Sequence, residues 1–321
     1  MKAAGELSAI NYMKIKGRFI KMDLSSLQLA AGIDTFEITA NIDLTEDFTG
    51  IKHLRPLNKC KSHGRQWKYK VTCDKIIEHG GYNIGDFIKI IDYIKEIFKD
   101  ATELFISRFD IRFDNYAAGS YMEYYKITGA LLLLLAYRHN FKNRYQSFDP
   151  VGYVLKTIRI DNNDDKQAEY YNKYLQKPEL GIYARLELRS KQLNIDLFQP
   201  LDGFADSCAA EWFDMMIAAA TKENFDGLKS QINQCICDNY IEGYNASIAE
   251  FIACNGLVVY DKKQAAQIFK AMKKEGRNGY DFFKQRPKQQ IITIDDIKAY
   301  IELLRGFVTK FLCGKAQEQA F

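Results

Sequence analysis

A chain of 321 residues, 47% hydrophobic and 13% aromatic, can bury one large core or two modest ones without disulfide or metal staples, and a soluble two-domain protein is the expectation. Lys plus Arg (45) exceed Asp plus Glu (41) by four, a mildly basic balance that by itself says little about nucleic acid. The seven scattered cysteines, Cys235 and Cys237 among them, lack the paired His spacing of structural zinc and read as reduced cytosolic thiols. The N-terminus has no apolar signal core, and the longest apolar run, Gly129 to Tyr137, falls short of the ~20 residues that span a bilayer.

In chain order, Asp34 to Leu44 alternates, with Phe36, Ile38, Ala40 and Ile42 opposite Thr35, Glu37, Thr39 and Asn41, and reads as a strand with one wet face. Lys52 to Lys70 carries seven basic residues and no acid, with Trp67 and Tyr69 between them. It suits a basic hairpin, solvated or laid against phosphates. Trp67 to Cys73 alternates as a strand, and Ile84 to Lys99 spaces Phe87, Ile90, Ile91, Ile94 and Phe98 as a helix.

Leu104 to Asp114 is the next strand, followed by a helix over Tyr121 to Tyr137 and a strand-like pair at Val154 to Asp161. Asn162 to Asp165 is a turn signal, and Asp165 is placed to cap the segment Lys166 to Gln176, which Pro178 and Gly181 end. Ile182 to Arg189 alternates once more. Beyond Pro200 helical patterns take over, so the expected division is 1–200 and 201–321. The chain reads as α+β, an antiparallel sheet followed by an α-helical domain.

Chemistry concentrates on two strands. A period of two sets Arg108, Asp110, Arg112 and Asp114 opposite Phe109, Ile111 and Phe113, and Arg185, Glu187 and Arg189 opposite Leu186 and Leu188. Side by side these strands make a patch of carboxylates and guanidiniums on the open face of a sheet. The plain reading is a set of cross-strand ion pairs. The sharper one is a hard divalent cation, Mg²⁺ or Mn²⁺, on Asp110 and Glu187, with the arginines holding phosphate oxygens. Between the strands lies Tyr170-Tyr171-Asn172-Lys173. A tyrosinate attacks phosphorus when a nearby cation lowers its pKa or a base takes its proton, and Lys173 offers that charge.

The order S-R-F-D-I-R-F-D, then Y-Y-N-K, then A-R-L-E-L-R, over roughly Phe36 to Leu193, resembles the rolling-circle replication initiators of staphylococcal plasmids and their relatives on conjugative transposons. Filamentous phage gene II proteins look similar over the first motif. The resemblance implies a nicking domain like that of the HUH endonucleases but without their His pair, since none of His53, His63, His79 and His139 stands two from another. It puts the nucleophile on Tyr171, with Tyr170 as the alternative, and metal ligands on Asp110 and Glu187. Asp114, Arg108, Lys173 and Arg185 fall on flanking positions of the same motifs. A third acidic ligand, expected on the strand before the first helix, is missing from Tyr69 to Cys73, so Asp114 is carried as a candidate. The implied reaction cuts one origin strand, leaving a 5′-phosphotyrosyl link and a free 3′ hydroxyl.

Ile268 to Lys288 strings basic residues, Lys273, Lys274 and Arg277 among them, around Tyr280, Phe282 and Phe283. That composition suits a helix, turn and wing gripping duplex DNA. Together these readings describe a cytoplasmic protein of a bacterial host that binds single- and double-stranded origin DNA without a membrane partner. A host helicase and a second copy of the chain are compatible with it. Two other readings stay open: a DNA-binding initiator or repressor that does not cut, and a metal-dependent nuclease that uses water.

Overall fold

Strand alternation and helical spacing become, in a computed structural model, a single sheet with helices against one face. The structure describes residues 24–44, 54–59, 66–73, 84–118, 121–139, 141, 143–149, 154–162, 164–201, 203–228, 230 and 292–314. The strands are β1 (Leu29–Ala40), β2 (Leu54–Lys59), β3 (Trp67–Thr72), β4 (Leu104–Asn115), β5 (Asn143–Asp149), β6 (Val154–Asp161), β7 (Lys166–Tyr171) and β8 (Ala184–Asp196). They form an eight-stranded antiparallel sheet in the order β2-β3-β1-β4-β8-β7-β6-β5. The helices are α1 (Ile84–Ile97), α2 (Tyr121–Arg138), α3 (Phe204–Ala219) and α4 (Ile294–Leu312).

One face of the sheet is apolar, as the alternation of β4 and β8 requires. Phe109, Ile111, Phe113, Leu186 and Leu188 are buried there with Phe87, Ile91 and Ile94 of α1. Phe87 meets Phe36 and Phe109 edge-on, with ring centroids 5.4 and 5.7 Å apart. α2 is apolar on nearly every side because it is enclosed on nearly every side. Leu131, Leu132, Leu134 and Leu135 are buried, and the Tyr124 hydroxyl donates to the Phe113 carbonyl at 2.9 Å.

The described helices beyond Pro200 belong to this same layer. Phe204 packs edge-on against Phe109 at 4.8 Å, Trp212 is fully buried, and the Tyr300 hydroxyl lies 2.9 Å from that of Thr128 on α2. Thr293 caps α4, accepting from the Asp296 amide, while the Asp296 carboxylate accepts from the Thr293 amide. Thr293→Ala is expected to cost about 1 kcal/mol, read as a lower denaturant midpoint at unchanged slope. An unchanged midpoint would mean that α4 is held by packing alone.

The segment after Asp165 departs from the capped-segment expectation. Lys166–Tyr171 is a strand paired on both sides, with β6 and β8. Its period is two, with Ala168 and Tyr170 in the apolar core, and the turn before it is closed by the Asn162 carboxamide accepting from the amides of Asp164 and Lys166, both at 3.0 Å.

Candidate metal and nucleophile site

The opposite face of the central strands carries the charge, and it is closed rather than open. Asp110, Asp114, Arg185 and Glu187 are all 2% exposed or less. Burial makes pairing obligatory, because an unpaired charge away from water costs several kcal/mol. Arg108 donates to Asp110 at 2.8 Å and to Glu37 at 2.9 Å. Arg189 reaches Glu169 at 3.0 Å, lies 3.4 Å from Asp110 and donates to Glu187. Arg185 grips Asp114 with two nitrogens, at 2.6 and 3.0 Å, and donates a third bond to Asp34.

The third carboxylate is therefore Asp34. Oxygens of Asp34, Asp110 and Glu187, on β1, β4 and β8, lie within 4.8 Å of one another, and all three side chains are buried. A β-bulge puts Asp34 there. Ile33 pairs with Ile111 and Phe36 with Phe109, so Asp34 and Thr35 together stand against the single residue Asp110. The extra residue re-aims one side chain. Ile33 and Phe36 both stay in the core while Asp34 turns to the charged face. The one hint in the sequence is that two apolar strand residues stand three apart, which a period of two does not permit.

Asp114 is not in this cluster. It is the anchor of Arg185, which in turn holds Asp34. Arg112, also buried, lies 3.6 Å from Asp114. Arg185 and Arg112 are thus buried against carboxylates, while Arg108 and Arg189 keep a partly exposed edge. Lys273, Lys274 and Arg277, and the expected wing around them, lie outside the described residues.

The two tyrosines separate by face. Tyr170 is in the core, its ring 5.5 and 5.8 Å from those of Tyr124 and Tyr125. Tyr171 points the other way, and its hydroxyl donates to Glu187 of the carboxylate triad. Lys173 curls back over the Tyr171 ring at 5.5 Å, with its Nζ 3.4 Å from the phenol oxygen.

Burial, with the Glu187 charge beside it, raises the Tyr171 pKa well above its ordinary 10.0, so the phenol holds its proton in this state. Burial also pushes Asp110 from 3.8 up to about 7, against the pull of Arg108 and Arg189 and with a further push from Glu187. Glu187 itself is held below its ordinary value: burial opposes this, but Arg189, Arg185 and the Tyr171 hydroxyl outweigh it.

Three crowded carboxylates, one of them made reluctant to ionise mainly by burial, fit a hard divalent cation with oxygen ligands. Binding such a cation requires Asp110 to release its proton. Mn²⁺ affinity, measured by calorimetry, is therefore expected to fall about tenfold per pH unit below pH 7 and to level off above it. In the cation-free protein this group acts on stability with the opposite sense. The folded state keeps a proton that the unfolded chain releases near 3.8, so its contribution declines as pH rises from about 4 to about 7. A flat affinity between pH 5.5 and 8 would mean that Asp110 gives up no proton when the cation binds.

No protein-family model matches the chain, and no curated protein matches it. Among solved structures, a rolling circle replication initiator protein from Geobacillus stearothermophilus is similar over 52% of this chain and 76% of that one, with 15% identity and a TM-score of 0.32.

Proposed function

We propose that this chain is a rolling-circle replication initiator that nicks one strand of origin DNA with Tyr171 as the nucleophile. The observation that carries the reading is the hydrogen bond from the Tyr171 hydroxyl to Glu187, a member of the buried Asp34–Asp110–Glu187 triad. It joins a nucleophile to a cation site across four neighbouring strands, β1, β4, β8 and β7, and the motifs of β4, β7 and β8 stand in the chain order shared with such initiators.

Each residue has a definite task. Asp34, Asp110 and Glu187 would hold Mg²⁺ or Mn²⁺. When bound, that ion polarises the phosphodiester and offsets the negative charge that builds on it. Glu187 accepts the phenol hydrogen bond and is the nearest base for its proton. The Lys173 ammonium beside the same oxygen favours the phenolate once the proton leaves. The bond from the Tyr171 oxygen to phosphorus forms as the bond from phosphorus to the 3′ oxygen breaks. The 5′ side is left on the enzyme and the 3′ oxygen takes up a proton to become the primer hydroxyl.

Arg108 and Arg189, partly exposed at the edge of the triad, are placed to meet the scissile phosphate.

The test is incubation of the protein with labelled single-stranded oligonucleotides from its own origin and Mg²⁺ or Mn²⁺, followed by denaturing electrophoresis and peptide mapping. A covalent band on Tyr171 supports the reading. Cleavage without an adduct points to a water-using nuclease, and tight binding without cleavage to an initiator or repressor that does not cut.

A further inference from the structure

The segment between β7 and β8, residues 172–183, carries aromatic surface that the nicking chemistry does not use. Tyr174 stacks on Tyr183 with ring centroids 5.1 Å apart and planes 9° from parallel. Planes so nearly parallel at this centroid distance make an offset stack, one of the two arrangements that the ring quadrupole favours. Every tyrosine and phenylalanine pair described above packs edge-on or tilted. Tyr174 is 41% exposed, and Leu175 beside it is 60% exposed.

The segment is also well held. The Asn172 carboxamide accepts from the Leu175 amide at 3.1 Å, and the Lys173 carbonyl accepts from the amides of Gln176 and Lys177. Gly181 closes the following 3₁₀ turn (Pro178–Leu180) at φ 63°, a conformation that favours glycine. A fixed aromatic face loses little entropy when something stacks on it.

We infer that Tyr174, backed by Tyr183, is a stacking platform for a nucleobase of single-stranded DNA flanking the scissile phosphate. The occupant follows from position and charge. Tyr174 follows Lys173, whose Nζ lies 3.4 Å from the Tyr171 oxygen, so the platform is three residues along the chain from the proposed nucleophile. Lys177, half-buried on the same segment, adds a cation for a phosphate, while Lys173 is buried against Tyr171. A flat, exposed ring beside cationic groups is how proteins grip unpaired bases without reading their sequence. Duplex DNA, its bases already stacked on one another, cannot use it. The inference rests on the nicking proposal above and adds to it a subsite for an unpaired base.

The test uses the full chain carrying Tyr171→Phe, so that binding is read without cleavage. The probes are a fluorescent oligothymidylate and a matched strand of abasic sugar-phosphate, each with Mn²⁺. Tyr174→Ala is expected to weaken the oligothymidylate about tenfold or more and to change the abasic strand by less than about twofold. Tyr174→Trp is expected to restore the affinity, with added indole fluorescence quenched by the strand that has bases and not by the other.

Equal losses on the two strands, or no loss on either, overturn the platform. If that happens while the chain with Tyr171 intact still forms the covalent adduct, the platform fails alone. If neither strand binds at all, the platform and the nicking proposal fall together.

Discussion

Tyr171→Phe is expected to abolish the covalent DNA adduct, a loss of at least about 10³-fold, while leaving the fold intact. The substitution removes one oxygen. Its ring keeps its place beside Lys173, and Glu187 loses a hydrogen bond but keeps Arg189 as a partner. The cost to stability is therefore that of one hydrogen bond to a charged group, about 1.5–3 kcal/mol, and binding to single strands should persist.

Tyr170→Phe is the matched comparison. Tyr170 lies on the helix-covered face against Tyr124 and Tyr125, so its hydroxyl cannot reach the triad without reversing the strand. Adduct yield in Tyr170→Phe should equal that of the parent. An adduct that survives Tyr171→Phe and disappears in Tyr170→Phe would mean that β7 works in a register one residue from the one seen here.

The second large effect concerns the ligands. Asp34→Asn, Asp110→Asn and Glu187→Gln are each expected to weaken Mn²⁺ binding by more than about 10²-fold, because each removes one of three charged oxygen ligands. Asp114→Asn is expected to cost only about 10- to 100-fold, the usual effect of losing a partner that orients a ligand, since Asp114 acts on Asp34 through Arg185. Calorimetry with Mn²⁺ separates the two cases, alongside a thermal melt of each variant, because breaking a buried ion pair can cost about 3–5 kcal/mol. If Asp114→Asn removed binding as completely as Asp34→Asn, the triad would have been drawn from the wrong carboxylates.

How much of this was legible in the sequence depends on strand regularity. Over Arg108–Asp114 of β4 and Arg185–Arg189 of β8 the alternation is unbroken, so Asp110 and Glu187, and the apolar face behind them, follow from a period of two. The exposure of that face does not follow, because alternation reports which side a residue takes and not what lies over it. Asp34 was hidden by the bulge: reading a regular period back from Phe36 puts it on the apolar side.

Other strands carry too little apolar signal of their own. β2 (LRPLNK) is interrupted by Pro56, and β5 (NRYQSFD) has two apolar residues in seven. β7 (KQAEYY) begins with polar residues behind a plausible helix cap, and what makes it a strand is its pairing on both edges with β6 and β8. The choice between Tyr170 and Tyr171 was undecidable until that strand was known, since only a strand sends neighbours to opposite sides.

The bulge at Asp34 and Thr35 also bears on how such a site is inherited. Because the acid arrives on an extra residue and not in place of one, the charged side of β1 can gain or lose a ligand through a one-residue insertion or deletion, with Ile33 and Phe36 left undisturbed. Related chains that differ by one residue in this strand would then share a core and differ in chemistry, and any fixed-spacing motif drawn through it would find the wrong neighbour.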